Sequence, residues 1–270
     1  MKNLIIFFFI SIVVSNFAVN ANQESLLSYQ SIYEIELDKN REVKKNFGQP
    51  SIKSAEGELI IDWFNNCNSW VSNQRMLISF INSSGIGTVS DISYSLEEST
   101  DSNNMKFILQ VKENNIIQQK VRGEVLRENG LKATIFNPNK KEIDFSNDVL
   151  LPHEHLKLII KSLYNKEDNS IFSRKVYEGT IPENFFNIST FINKSPSKFN
   201  DIEIPKDVKN KFWDVRMAYY EKDAQTASLE LTAKINKQGI VSYFKYDYPE
   251  YSLIMKLKKL VVTMDNCEEN

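Results

Sequence analysis

The chain has 270 residues, with 33 basic and 35 acidic side chains and a formal net charge of −2. Its lysines and arginines are scattered along the sequence, which argues against a nucleic-acid partner and against electrostatic attraction to an anionic membrane. The sequence contains no Gly-x-Ser-x-Gly nucleophile motif, no phosphate-binding glycine loop and no dinucleotide fingerprint. We therefore expect no cofactor, and no motif specifies a reaction.

The N-terminal residues have the composition of a secretory signal peptide. Lys2 supplies a positive charge, residues 4–14 are apolar apart from one serine, and Val19-Asn20-Ala21 places small residues where a signal peptidase reads them. The apolar stretch is shorter than the roughly 20 residues needed to span a bilayer. We predict cleavage after Ala21 and an exported mature chain without a membrane span, with a retained membrane anchor as the alternative.

Apolar residues recur at every second position through most of the mature chain, which is typical of β-strands with one buried face. The pattern predicts about thirteen strands. They cover residues 29–37, 59–63, 69–81, 88–96, 106–113, 117–126, 132–137, 170–178, 184–192, 212–220, 227–235, 241–247 and 251–264. Asn129-Gly130 is a strong hairpin signal, and Gly239 marks another turn. We predict a mainly β protein whose large antiparallel sheet is closed or nearly closed on itself.

Residues 152–166 break this alternation. Apolar side chains recur there at helical spacing, at Leu156, Ile159, Ile160 and Leu163. Pro152 suits the first turn of a helix, and Asn147 or Asp148 is the candidate cap. We predict an amphipathic helix that covers the open end of the sheet. Because no linker rich in Pro, Gly or Ser interrupts the chain, residues 22–270 are predicted to form one domain, with two sheet lobes joined by the helix as the alternative.

The chain has two cysteines, Cys67 and Cys267. In an exported protein, such a pair indicates a disulfide formed in an oxidising compartment, here one that ties the C-terminal end to an early strand. Two free buried thiols in a cytosolic protein are the alternative. A metal site is less favoured, because widely separated single cysteines lack the paired spacing that zinc prefers.

The two histidines of the chain, His153 and His155, flank Glu154 at the predicted start of the helix. Zinc proteases use His-Glu-x-x-His, which places both rings on one helix face, whereas His-x-His points them in different directions. We therefore favour a structural interpretation, in which Glu154 interacts with the helix N-terminus and His155 packs or bonds locally. A metal site and a catalytic role remain the alternatives.

Several sequence landmarks occur in an order that resembles the EipB family of periplasmic cell-envelope integrity proteins of alphaproteobacteria. The resemblance runs from about Tyr29 to Cys267. The first landmarks are residues 32–37, residues 57–64 leading into Cys67, then Trp70 and Asp91. The later ones are residues 151–155, 176–179, 213–215 and 218–220, then Asp247-Tyr248 and the C-terminal cysteine. The chain departs from the family pattern at residues 180–183 and at Pro249.

The resemblance implies a β-spiral, in which antiparallel strands wind into an open, cup-like barrel with one packed helix and a disulfide. It also implies a periplasmic role in envelope integrity without an established enzyme activity. We predict a non-catalytic protein that binds or scaffolds a periplasmic protein partner, an envelope polymer or a lipid. The candidate binding residues are the aromatic side chains Trp70, Trp213, Tyr219 and Tyr220. The alternative is an envelope hydrolase that acts on a cell-wall or glycan substrate through acidic residues.

Overall fold

The computed structural model of the chain describes residues 26–41, 51–164 and 170–265. The predicted signal peptide, residues 1–21, and Cys267 lie outside these ranges, so cleavage and the disulfide stay predictions. Within the described ranges, no helix is both long enough and apolar enough to cross a bilayer.

The described residues form fifteen strands and one helix. The elements before the helix are β1 (Tyr29–Leu37), β2 (Ile52–Asn65), β3 (Ser69–Asn82), β4 (Gly87–Ser99), β5 (Asn104–Glu113), β6 (Ile116–Arg127), β7 (Leu131–Asn137), β8 (Lys141–Phe145) and β9 (Val149–Leu150). The helix is α1 (Pro152–Tyr164). It is followed by β10 (Ser170–Val176), β11 (Phe186–Ile192), β12 (Phe212–Tyr220), β13 (Leu229–Asn236), β14 (Val241–Asp247) and β15 (Ser252–Val262).

All fifteen strands belong to one continuous sheet, in the order β8-β7-β6-β5-β4-β3-β2-β1-β15-β14-β13-β12-β11-β10-β9. Neighbouring strands are antiparallel except β9 and β10, which pair in parallel. The two edge strands, β8 and β9, are consecutive in the chain, and only residues 146–148 separate them. The sheet therefore winds around until its edges approach each other. This is the predicted β-spiral, or open barrel, with one packed helix.

The sequence alternation produces this shape because it gives the sheet one buried face. On β1, Tyr29, Ser31, Tyr33 and Ile35 are buried, whereas Gln30 and Glu34 between them are exposed. Successive side chains of a strand point to opposite faces, so every second residue enters the barrel. Burial of these inward apolar side chains, at about 25 cal/mol per Å², is the main driving force for closing the sheet.

The thirteen strands predicted from alternation are all present, and most of them have shifted ends. The hairpin at Asn129-Gly130 joins β6 to β7, where Arg127 pairs with Leu131. Two short strands were missed. β8 has five residues and β9 only two, and β9 is defined by its pairing with β10. Alternation cannot be recognised over such short segments.

Helix α1 confirms the predicted helix as far as Tyr164, and residues 165–169 lie outside the described ranges. Ile159, Ile160 and Leu163 are buried, as the helical spacing predicts. Its N-terminus is capped in a way the sequence did not indicate. The backbone N–H groups of His153 and Glu154 donate to the carboxyl group of Glu98 on β4, at 2.7 and 3.1 Å.

The predicted caps have other roles. The side chain of Asp148 pairs with Lys175 on β10, at 2.9 Å. The Asn147 carbonyl accepts a hydrogen bond from Arg127. Glu98 takes their place because its carboxyl group is fully buried beneath the first turn, where it also accepts a hydrogen bond from Ser102 at 2.8 Å. This bond network links α1 to the end of β4.

The last described residues lie beside the start of the sheet. The hydroxyl of Ser28 donates to Asp265 at 2.5 Å and accepts a hydrogen bond from the N–H of Asn65 at 2.9 Å. Asp265 therefore lies near the end of the strand that precedes Cys67. No cysteine within the described ranges is a free thiol. Pairing with Cys267 stays a prediction, because that residue lies outside them.

Candidate functional site

The barrel contains a cavity of about 590 Å³ that is partly open to solvent. Inward-facing side chains of β2, β3, β4, β5, β12, β13 and β14 line it, and α1 contributes Pro152, His153, Leu156 and Ile159. The lining is mostly apolar and aromatic. A cavity of this volume and lining is typical of a site for a small molecule.

The cavity remains because the buried side chains gather into three separate clusters. One lies around β1, β2 and β15, a second around β5, β6 and β7, and a third between α1 and β11 to β14. Ala233 on β13, which has a short side chain, lines the space between these clusters. The walls of this space are mostly apolar.

Two of the described residues that line the apolar cavity carry carboxyl groups, Glu178 and Glu221, and Glu178 is the less exposed of the two. Glu178 follows β10, and its backbone carbonyl accepts a hydrogen bond from the hydroxyl of Tyr94 at 2.5 Å. Burial raises the pKa of Glu178 to about 7. Burial, with a smaller contribution from the charge of Glu178, also raises the pKa of Tyr94 and Tyr219 above the usual value. Both tyrosines therefore stay neutral donors beside this carboxyl group.

An aromatic cluster forms the end of the cavity that is covered by α1. The ring of Trp63 stacks on Trp70 at 5.2 Å between centroids, and the ring of His153 lies 5.8 Å from Trp63 and 5.4 Å from Trp70. Trp63 and His153 line the cavity. Burial lowers the pKa of His153 to about 3, so its imidazole is neutral.

The two histidines do not share a site. His155 lies against Phe172, with 6.1 Å between ring centroids, and its Nε2 is 3.4 Å from the hydroxyl of Thr190. The side chain of Glu154 forms an ion pair with Arg127 at 2.9 Å. The described residues contain no group of three or more His, Cys, Asp or Glu side chains placed to hold a metal ion. These contacts agree with the structural interpretation of His155 and Glu154, while His153 also faces the cavity.

The structure does not bring the four predicted aromatic residues together. Tyr219 lines the cavity, and Trp70 supports it from behind Trp63. Trp213 packs in the cluster under α1, where the ammonium group of Lys237 lies 5.5 Å from its ring. Tyr220 is on the opposite face of β12 from Tyr219, since adjacent strand residues alternate. Trp213 and Tyr219 are six residues apart along β12, which is roughly 20 Å.

Sequence reasoning missed His153 and Glu178 as cavity residues. Alternation places Trp63 on the inner face of β2, in phase with Leu59 and Ile61, but it also suits an ordinary core residue. No local signal marks Glu178. The sequence predicts it as the last residue of the strand 170–178, whereas β10 ends at Val176 and Glu178 lies in the loop that follows.

Comparison with known proteins agrees with the fold. A family model described as EipB-like matches residues 20–264. A crystal structure of a beta-barrel-like protein of a domain of unknown function from Brucella abortus superposes with a TM-score of 0.80, at 19% sequence identity over 89% of this chain and 99% of that one. No curated protein matches. At this identity the crystal structure shares the fold alone, whereas the family model spans most of the sequence. The chain therefore belongs to the EipB-like family.

Proposed function

We propose that the protein is a non-catalytic binding protein of the bacterial cell envelope, which holds a lipid-like small molecule inside its barrel. The cavity of about 590 Å³ with mainly apolar walls is the observation that carries this proposal. The predicted signal peptide and the family membership support a periplasmic location and a role in envelope integrity.

The lining favours hydrocarbon over a strongly polar ligand. Leu59 and Ile61 on β2 and Leu231 on β13 form apolar wall, and none of the described lining residues is a lysine or an arginine. Each methylene group transferred from water to such a wall contributes about 0.8 kcal/mol. An anionic ligand would instead lose its hydration without gaining a counter-ion.

The alternative of an envelope hydrolase has weaker support. Two carboxyl side chains, Glu178 and Glu221, are among the cavity residues. The two catalytic carboxyl groups of a glycosidase lie in one site. They are close enough that the charge of each shifts the pKa of the other. Burial accounts for the raised pKa of Glu178, and within the described part of the chain Glu221 adds nothing to it. Glu221 is also exposed.

A variant that fills the cavity is expected to lose ligand binding. Ala233 is 5% exposed and faces the cavity from β13, so Ala233→Phe would place a ring in the space that the ligand needs. The neutral fluorescent probe 1-N-phenylnaphthylamine should bind the wild-type protein and bind Ala233→Phe at least about tenfold more weakly. The measurement is fluorescence titration.

Thr232→Phe is the matched control, because Thr232 is adjacent on β13 and belongs to the opposite face. It adds a ring of similar size without entering the barrel, so its probe affinity should equal that of the wild type. Absence of probe binding to the wild-type protein, or equal loss in both variants, would contradict the proposed function.

The envelope role is tested in cells that normally make the protein. Deletion of the gene should increase sensitivity to detergents and to wall-active antibiotics. If the envelope role requires ligand binding in the cavity, expression of Thr232→Phe in the deletion strain should restore tolerance. Expression of Ala233→Phe at the same protein level should not. Unchanged tolerance after deletion would show that the protein has no role in envelope integrity. Full rescue by Ala233→Phe would show that this role does not need the cavity.

A further inference from the structure

We propose that the α1 end of the cavity binds an uncharged, oxygen-bearing head group of the ligand, of the glycerol ester class, between Trp63 and His153, with the hydrocarbon chain extending along the barrel. This inference rests on the proposed function and specifies the ligand class for the same cavity.

The first observation is a set of buried polar atoms without partners. Nε1 of Trp63 and both ring nitrogens of His153 are buried and have no hydrogen-bond partner among the described residues. The His153 side chain is only 1% exposed, yet both residues line the cavity. A buried polar group that lacks a hydrogen bond costs about 1 to 3 kcal/mol. Polar ligand atoms at this end of the cavity would remove that cost.

The second observation is that the aromatic cluster holds these atoms in place. Trp70 stacks behind Trp63 with an angle of 21° between the ring planes. His153 is fixed from the backbone side, where its N–H donates to Glu98 at 2.7 Å. The three nitrogens therefore belong to side chains that are already ordered before a ligand binds, which limits the entropy lost on binding.

The chemistry of these groups defines the head group. A neutral imidazole offers one N–H donor and one acceptor, and the indole of Trp63 offers a donor only. Together they match a carbonyl oxygen with a neighbouring hydroxyl, as in a monoacylglycerol.

A carboxylate head is disfavoured at this end of the cavity. The buried carboxyl group of Glu98 lies under the same helix turn. The nearby ammonium group of Lys157 instead donates to the Thr100 carbonyl at 2.6 Å. A carboxylate head would lose its hydration at this buried end, where none of the described lining residues is a lysine or an arginine.

Two variants remove the polar atoms while keeping aromatic rings. Trp63→Phe removes the indole N–H, and His153→Phe removes both ring nitrogens. Affinity for 1-monopalmitoylglycerol, measured by displacement of 1-N-phenylnaphthylamine, should fall about tenfold in each variant, as expected for loss of one buried hydrogen bond. The circular dichroism spectrum of each variant should match that of the wild type, which shows that the variant is folded, and Thr232→Phe, outside the barrel, should keep the wild-type glyceride affinity.

A third measurement uses the wild-type protein alone. Palmitate has the same chain with a carboxylate head, and it should compete at least about tenfold more weakly than 1-monopalmitoylglycerol. Equal competition by palmitate, or unchanged glyceride affinity in both variants, would overturn the head-group assignment while leaving probe binding intact. Failure of the wild-type protein to bind either probe or glyceride would overturn the proposed function as well.

Discussion

Replacing Glu98 with alanine is expected to lower the free energy of unfolding by about 3 kcal/mol. The change leaves the N–H groups of His153 and Glu154 without their acceptor at the start of α1, and it also removes the partner of the Ser102 hydroxyl. Because these groups are buried, water cannot replace the lost carboxyl group without opening the helix end. Urea unfolding monitored by circular dichroism measures the effect.

The destabilisation should depend on pH. Burial raises the pKa of Glu98 from 4.5 to about 7, so the folded protein holds a proton that the unfolded chain releases above pH 4.5. The stability that Glu98 contributes is therefore complete below about pH 4.5 and decreases as the pH rises towards 7. Glu98→Ala should cost more stability at pH 5 than at pH 8.

The pKa shifts of the two histidines change stability with pH in the opposite direction to that of Glu98. They do not affect the comparison of the wild-type protein with Glu98→Ala. Burial lowers the pKa of His153 to about 3 and that of His155 to about 4, so both favour unfolding as the pH falls below 6.5. They are present in the wild-type protein and in the variant alike. Glu58→Ala, at an exposed position on β2, is the control and should change stability by less than about 0.5 kcal/mol. A greater cost of Glu98→Ala at pH 8 would show that the folded protein favours the ionised carboxylate.

Replacing Gly179 with alanine is expected to destabilise the protein by about 3 to 4 kcal/mol and to loosen the loop that carries Glu178. Gly179 has a φ of +74°, and an added Cβ would lie 2.4 Å from the ring of Phe107. That ring is only 1% exposed and packs edge-on against Tyr177, so it has no room to move. Thermal unfolding and binding of 1-N-phenylnaphthylamine measure the two effects.

Gly85 provides a matched control for the backbone cost alone. Its φ is +78°, but an added Cβ would meet no heavy atom within 4 Å. Gly85→Ala should therefore cost only about 1 kcal/mol and leave probe affinity unchanged. The difference in destabilisation between Gly179→Ala and Gly85→Ala measures the cost of disturbing the contact between the loop and Phe107. Equal destabilisation by the two substitutions would mean that this contact does not hold the loop.

The strands were predictable because their signal is local. On β12 every second residue is apolar, and on β1 Ser31 alone interrupts this alternation; the structure confirms both strands with the predicted bounds. The helix was predictable for the same reason, since its spacing of apolar residues differs from that of a strand. The strand order was not encoded locally, because β1 pairs with β15 at the far end of the chain.

The cavity could not be predicted for a different reason. Alternation tells which side chains face inward, but not whether they fill the barrel. Tyr219 and Trp213 both face inward from β12, yet only Tyr219 lines the cavity, because α1 covers Trp213. The cap of α1 shows the same limit. Glu98 and His153 are 55 residues apart, and no sequence pattern connects them.

The pairing of β1 with β15 also governs the order in which the molecule can assemble. Tyr29 to Leu37 can find half of their hydrogen-bond partners only after residues 252–262 have been synthesised. Contacts between segments so distant in sequence form slowly, since a long loop must close before they are made. Until then β1 presents an unpaired edge that invites pairing with another chain. A nascent or truncated polypeptide that ends before β15 would thus carry an aggregation hazard, and a chaperone that shields this edge during delivery would remove it.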